Sequence, residues 1–120
     1  MNGDELGIKV VLDIFSGCPN PTWWLSETQV DELKAKLGAF PLAQPMTPPG
    51  LGYRGMKIIN YSNITNLPER IIAYNGVLTI KEDGKINYYE DTNKIEEWLL
   101  DLARKRGYSD TIEKFRIIEE

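Results

Sequence analysis

The chain has 120 residues with a formal net charge of −4, 42% hydrophobic and 27% charged side chains, and no histidine. This composition is typical of one globular domain, which we expect to span residues 1–120. The acidic balance disfavours nucleic acid as a partner, and the lack of histidine excludes Ser-His-Asp triads, Cys-His pairs and histidine metal sites.

The N-terminal stretch predicts neither a signal peptide nor a membrane span. Its first residues are acidic, and Lys9 and Asp13 interrupt the apolar run that follows. No window approaches the roughly 20 apolar residues that a spanning helix needs. Cys18 is the single cysteine of the chain, which fits a reducing compartment. We therefore expect a cytoplasmic protein with no membrane partner.

The first half of the chain predicts one strand and one helix. Apolar residues alternate over Ile8–Phe15, which indicates a strand with one buried face. Ser26 and Gln29 have the spacing of a capping box and open the first helix, and Gly38 lies where a left-handed C-terminal cap belongs. Between strand and helix, residues 15–25 form a connector that is rich in proline and tryptophan.

Residues 39–55 form a second unusual connector. They hold four of the seven prolines and three of the ten glycines, which excludes a helix or a central strand. A connection of this length inside a compact domain is typically either functional or flexible. Its apolar residues indicate that part of it packs on the core.

The second half predicts strands over residues 56–62, 70–74, 77–82 and 85–89. Asp83-Gly84 is a two-residue hairpin signal, whereas Asn75-Gly76 is compatible either with a hairpin turn or with a bulge in one long strand. A second helix is predicted from Asp91 or Thr92, with Asn93 and Glu96 in capping-box spacing, and it ends at Gly107. Residues 108–120 have the apolar spacing of a short packed helix.

This order predicts an α+β fold. We expect a two-layer domain with a mixed, mostly antiparallel sheet of 4–5 strands and two main helices on one face, in β-α-β-β-β-α order. The first two strands are expected to pair in parallel through a right-handed crossover, as in thioredoxin-like or ferredoxin-like folds.

Three motifs resemble a family of small uncharacterised proteins. They are Ser16-Gly17-Cys18-Pro19-Asn20-Pro21, Gly52-Tyr53-Arg54-Gly55 and Glu96-Glu97-Trp98-Leu99-Leu100. They match a Ser-Gly-x-Pro-Asn-Pro loop, a Gly-Tyr-Arg-Gly segment and a Glu-x-Trp-Leu-Leu helix, over most of the chain. The resemblance implies no activity. It also implies that arginine is common at the position of Cys18, which argues against a catalytic thiol.

The element order is also similar to the reduced thioredoxin-like plan of proteins related to selenoprotein W. In both, a cysteine-bearing loop follows the first strand, and here Leu67-Pro68 precedes a hairpin. The resemblance implies thiol chemistry at Cys18, but this chain has no second cysteine to complete a redox pair.

Five residues are predicted to form a ligand site. Asn20 lies between two prolines in a rigid turn, and Trp23 or Trp24 would follow it as the aromatic contact. Alternatively, because adjacent residues of an extended chain point to opposite faces, one tryptophan would plug the core while the other covers loop 39–55. Tyr53 and Arg54 come from the second connector. The Arg54 fork would bind a carboxylate, either on a ligand or inside the protein, with Asp13 and Asp91 as internal candidates.

The sequence thus predicts a small soluble binding or interaction module whose site is formed by loops 15–25 and 39–55. Its partner is an unidentified protein or small molecule, and neither a metal nor a cofactor is expected. The alternative is a thiol-dependent redox protein that uses Cys18. An alkylation rate measured against pH would separate the two, because only an activated thiol reacts fast at neutral pH.

Overall fold

The structure, a computed structural model, describes residues 7–15, 19–48, 50 and 52–119. These residues form six strands and three helices. The strands are β1 (Ile8–Phe15), β2 (Thr22–Trp24), β3 (Gly52–Asn60), β4 (Arg70–Tyr74), β5 (Val77–Glu82) and β6 (Lys85–Glu90). The helices are α1 (Glu27–Lys36), α2 (Ile95–Ala103) and α3 (Ser109–Glu119), and a π-helical turn (Arg104–Tyr108) joins the last two.

The strands form one antiparallel sheet in the order β2-β1-β3-β4-β5-β6, which confirms the α+β class. The expected strand count was too low, because Thr22–Trp24 forms a strand inside the predicted 15–25 connector. The parallel pairing of the first two predicted strands was wrong. β2 pairs antiparallel with β1 and has already reversed the chain when α1 begins, so β3 also runs antiparallel to β1. The described sheet therefore has no parallel pair of the thioredoxin-like kind.

Two tight turns connect the last three strands. Asn75 and Gly76 have φ values of 50° and 83°, and Asp83 and Gly84 have φ values of 52° and 76°. Positive φ at both central residues defines the type I′ turn, whose twist matches that of paired strands. Asn75-Gly76 is therefore a hairpin turn and not a bulge.

The helix ends follow the sequence only in part. The capping box of Ser26 and Gln29 is present at the start of α1. Gly38 does not form the predicted left-handed C-terminal cap of α1, because the helix ends at Leu37, whose backbone is extended. The capping box predicted for Asn93 and Glu96 is also absent.

Asp91 caps α2 instead. Its carboxylate accepts hydrogen bonds from the Ile95 and Glu96 N–H groups at 2.7 and 2.9 Å. The Asn93 side chain donates to the Lys36 carbonyl at 2.7 Å, which ties the start of α2 to the end of α1. Gly107, with φ at 99°, separates α2 from α3 as predicted.

The sheet has two unequal faces. One face carries Ile8, Val10 and Leu12, which are 0% exposed, and α2 packs on it against β3 and β4. We call the other face the open face. Its residues in the described part of the chain are Lys9, Val11, Asp13, Thr22, Trp24, Arg54, Lys57, Ile59, Arg70, Ile72, Tyr74, Val77, Thr79, Lys81, Ile86, Tyr88 and Glu90.

Residues 41–43 of the second connector run along the outer edge of β6. The Ala43 N–H donates to the Tyr88 carbonyl at 3.0 Å, and the Glu90 N–H donates to the Pro41 carbonyl at 2.8 Å. Its last part, Gly52 onward, belongs to β3, which begins four residues before the predicted strand. Among the described residues, no helix is long and apolar enough to cross a membrane.

Candidate functional site

The candidate site is centred on Asp13, a buried carboxylate on the open face of β1. Asp13 is only 5% exposed. Its Oδ2 atom lies 3.3 Å from Lys57 Nζ and 3.8 Å from Arg54 Nε. Burial of an ionised carboxylate is costly unless opposite charge and hydrogen bonds accompany it, and the two cations supply the charge.

Asn20 joins the first connector to this carboxylate. Its side-chain oxygen accepts a hydrogen bond from the Ile14 N–H at 2.8 Å, and its side-chain nitrogen donates to Asp13 Oδ1 at 3.2 Å. The neighbouring Pro21 carbonyl accepts from the Leu12 N–H at 2.9 Å. The rigid turn predicted around Asn20 is therefore fixed to β1 by backbone and side-chain bonds.

A β-bulge in β3 brings Arg54 beside Asp13. Leu12 pairs with Met56 and Ile14 pairs with Tyr53, so Asp13 stands opposite both Arg54 and Gly55. Gly55 has φ at 111°, and a Cβ there would lie 2.8 Å from the Ala73 carbonyl oxygen. Only glycine fits that backbone, and bulges of this kind re-aim the adjacent side chain.

Arg54 is not fully satisfied by Asp13. Its Nε atom is buried and has no hydrogen-bond partner among the described residues. The 3.8 Å separation from Asp13 Oδ2 is an ion-pair distance, but it is too long for a hydrogen bond. The Arg54 side chain is 38% exposed. Arg54 and Lys57 carry two positive charges against the one negative charge of Asp13, which leaves an excess of one positive charge. At this surface the planar guanidinium can bind a carboxylate or a phosphate.

The structure separates the two predicted tryptophans. Trp23 is 5% exposed and lies on the helix-covered face, where its ring stacks on Tyr108 at 6.2 Å and Arg106 lies 5.5 Å from the ring centroid. Trp24 lies on the open face, against Tyr61 at 5.9 Å and Lys9 at 5.8 Å. Adjacent residues of a strand point to opposite faces, so the two rings do not contact one ligand together.

Tyr53 also lies away from the Asp13 cluster. It is buried, and its hydroxyl donates a 2.5 Å hydrogen bond to Glu96 Oε2 on α2. Burial raises the pKa of Glu96 above its ordinary value of 4.5, and the nearby Asp91 adds to the rise, whereas hydrogen bonds from Tyr53 and from the Asn75-Gly76 backbone oppose it. This pair joins β3 to α2.

Of the five predicted ligand residues, the structure thus brings together Asn20 and Arg54. Of the two carboxylates proposed as internal partners of Arg54, Asp13 is the one beside it, and Asp91 caps α2. Lys57 was not predicted as a member of the site. The alternation along β3 was compatible with its position, but the sequence carried no signal for the pairing register that sets it opposite β1.

A groove lies on the helix-covered side of β5 and β6, away from Asp13. Its volume is about 460 Å³, and it is lined by Leu37, Gly38, Ala39, Phe40, Asn66, Pro68, Ile80, Glu82 and Tyr89. Ala39 and Phe40 come from the second connector, but no residue of the first connector is in this lining. The two predicted loops therefore meet at Asp13 and not in the groove.

Ser16, Gly17 and Cys18 lie outside the described residues, so the redox alternative stays a prediction. Among the described residues, no group of three or more Cys, Asp or Glu side chains could hold a metal ion. Searches of protein-family models, curated proteins and solved structures find no match to this chain. The resemblances drawn from the motifs likewise stay predictions.

Proposed function

We propose that this chain is a small binding module that recognises an anionic group at the Asp13 end of the open face. The observation that carries the proposal is the Arg54 side chain, which is 38% exposed and whose Nε lies 3.8 Å from Asp13 Oδ2, too far for a hydrogen bond. A ligand carboxylate or phosphate would accept hydrogen bonds from the terminal N–H groups in the exposed part of the guanidinium.

The arrangement around Arg54 favours binding because it is preorganised. Asp13 and the bulge at Gly55 hold the arginine on one side, and Asn20 fixes the adjacent loop. A cation held in place before the ligand arrives loses little side-chain entropy on binding. This site combines parts of both predicted connectors, with Asn20 from 15–25 and Arg54 from 39–55.

The test is an NMR titration of the ¹⁵N-labelled protein. A buried arginine Nε–H exchanges slowly with water, so the Arg54 Nε–H signal can be followed directly. The probes are N-acetylglutamate for a carboxylate, phenyl phosphate for a phosphate, and N-acetylglutaminamide as an uncharged analogue. We expect saturable shifts of the Arg54 signal with an anionic probe and none with the uncharged one.

Two variants sharpen the titration. Arg54→Ala should abolish the response of the Ile14 and Lys57 amides to the anionic probe. Arg104→Ala is the matched control, because Arg104 pairs with the exposed Asp101 on α2 at 2.7 Å, away from the Asp13 cluster. The proposal would be overturned if the Arg54 Nε–H signal did not shift with either anionic probe, or if it shifted equally with the uncharged analogue.

A further inference from the structure

The Asp13 cluster lies at one end of a larger cationic surface. Strand pairing places Lys9, Ile59, Arg70 and Lys81 in one row across β1, β3, β4 and β5. The next row consists of Val11, Lys57, Ile72 and Thr79. The open face therefore mixes cations with apolar side chains across the middle of the sheet.

The charge of this face is opposite to that of the whole chain. In the described part of the chain it carries five cations, which are Lys9, Arg54, Lys57, Arg70 and Lys81. Three carboxylates accompany them: Asp13 and Glu90 on the face, and Glu69, which lies 4.0 Å from Lys81 Nζ. The net charge of the protein is −4, so positive charge is concentrated here and the remainder is more acidic.

The apolar part of the open face is incompletely covered. Val11, Ile59 and Ile72 are each partly exposed, whereas Val10 and Ile58, their neighbours on the other face, are 0% and 3% exposed. Long lysine and arginine stems can cover such side chains while their charged ends remain in water. A partner that displaces these lysine and arginine stems would bury the apolar residues and would also pair with the cations.

We infer that the open face binds an acidic amphipathic helix of a partner protein. The inference rests on the proposed function, because Arg54 and Lys57 form one end of the same surface. The apolar stripe of the helix would lie on Val11, Ile59 and Ile72, and its flanking carboxylates would meet the cations on either side. Charge complementarity selects the acidic partner, and helices already cover the other face of this sheet in the same two-layer manner.

Single-stranded nucleic acid is the competing anionic partner, and the side chains disfavour it. A sheet that binds single strands presents aromatic rings for base stacking in the middle of its surface. Here the positions among the central cations are held by Val11, Ile59 and Ile72. The aromatic residues of this face lie away from those positions: Trp24 packs with Tyr61 at the β2 edge, Tyr88 is on the edge strand β6, and Tyr74 is the last residue of β4.

The test measures the binding of synthetic peptides by fluorescence anisotropy. The main probe is a labelled helical peptide of about 18 residues, or five turns, with leucines on one stripe and glutamates beside it. The matched probe has lysine in place of each glutamate, and a third probe is a labelled oligothymidine. We expect binding of the glutamate peptide that weakens with salt, and at least about tenfold weaker binding of the other two.

Charge reversal on the face is the decisive variant. Arg70→Glu with Lys81→Glu should weaken binding of the glutamate peptide at least about tenfold. Both residues lie in the row that begins at Lys9, outside the Asp13 cluster. Lys34→Glu with Lys105→Glu is the control of equal charge, at exposed positions on α1 and the π-helical turn. Circular dichroism establishes that both variants fold, and the comparison of probes on the unmodified chain does not depend on any variant.

Each outcome decides the inference. Equal weakening by both double variants, or no binding of the glutamate peptide, overturns it. Tighter binding of oligothymidine that the Arg70 and Lys81 reversal removes overturns it in favour of nucleic acid. If the peptide fails while the Arg54 signal still responds to N-acetylglutamate, the partner class is wrong and the proposed anion site stands. If neither responds, both fail.

Discussion

Tyr53 on β3 donates a 2.5 Å hydrogen bond to Glu96 on the first turn of α2. The contact joins the strand that carries the Arg54 bulge to the helix on the opposite face of the sheet. Because burial raises the pKa of Glu96, this junction makes the stability of the fold depend on pH.

The direction of that dependence follows from linkage. A raised pKa means that the folded state favours protonated Glu96 relative to the unfolded chain. The stabilising contribution is complete below the ordinary pKa of 4.5 and is lost as the pH rises through the higher folded value. Glu96→Gln should therefore gain stability relative to the unmodified chain between pH 4 and neutral pH, as measured by urea unfolding at several pH values. A stability difference that does not change with pH would contradict the raised pKa of Glu96.

Asp13→Asn should destabilise the protein by about 1–3 kcal/mol. The amide removes the negative charge between Arg54 and Lys57, and both of those side chains are partly exposed, which limits the cost. Asp101→Asn is the matched control: Asp101 is 62% exposed, so its pair with Arg104 should contribute less than about 0.5 kcal/mol. Equal losses in urea unfolding would mean that Asp13 is not the charge on which the cluster depends.

Gly55→Ala should cost roughly 2–4 kcal/mol, because the new Cβ meets the Ala73 carbonyl and the backbone has φ at 111°. Gly38→Ala is the contrasting substitution. Gly38 has open space around its Cβ position and no positive φ, so alanine there should be neutral or stabilising by up to about 1 kcal/mol. Thermal unfolding distinguishes the two, and a tolerated Gly55→Ala would contradict the bulge.

Trp23→Phe should cost about 1–2 kcal/mol, and Trp24→Phe less than about 1 kcal/mol. Trp23 is buried against Tyr108, whereas Trp24 is only partly buried on the open face. The buried Trp23 N–H has no acceptor among the described residues, so its loss adds nothing to the cost. Urea unfolding of both variants gives the comparison, and a reversed order would contradict the assignment of Trp23 to the core.

Cys18→Ser should leave the response of the Arg54 Nε–H signal to N-acetylglutamate unchanged, because the proposed site needs no thiol. Iodoacetamide should also modify Cys18 slowly at neutral pH, as it does an ordinary cysteine. Rapid alkylation that rises to a plateau below neutral pH would favour the thiol-dependent alternative.

Local sequence signals predicted local structure well. Ser26 and Gln29 cap α1, and Asp83-Gly84 forms the predicted hairpin turn. The limits of the strands around this turn and around Asn75-Gly76 agree with the sequence pattern. Each of these features depends on residues a few positions apart, so the sequence contains nearly all of the information. The predicted cap at Asn93 failed because its side chain binds the distant Lys36 carbonyl, while the neighbouring Asp91 accepts from the N–H groups of α2. The predicted cap at Gly38 failed because α1 ends at an extended Leu37.

The sequence by itself determined the α+β class and the buried face of β1, and it predicted that Arg54 would bind a carboxylate on a ligand or inside the protein. Only the tertiary structure decided that β1 and β3 pair antiparallel, that Asp13 is the partner of Arg54, and that Lys57 joins them. It also decided that Trp23, and not Trp24, is the tryptophan that faces the core. The physical reason is register: a strand fixes which side chains share a face, but pairing between distant strands fixes which of them meet.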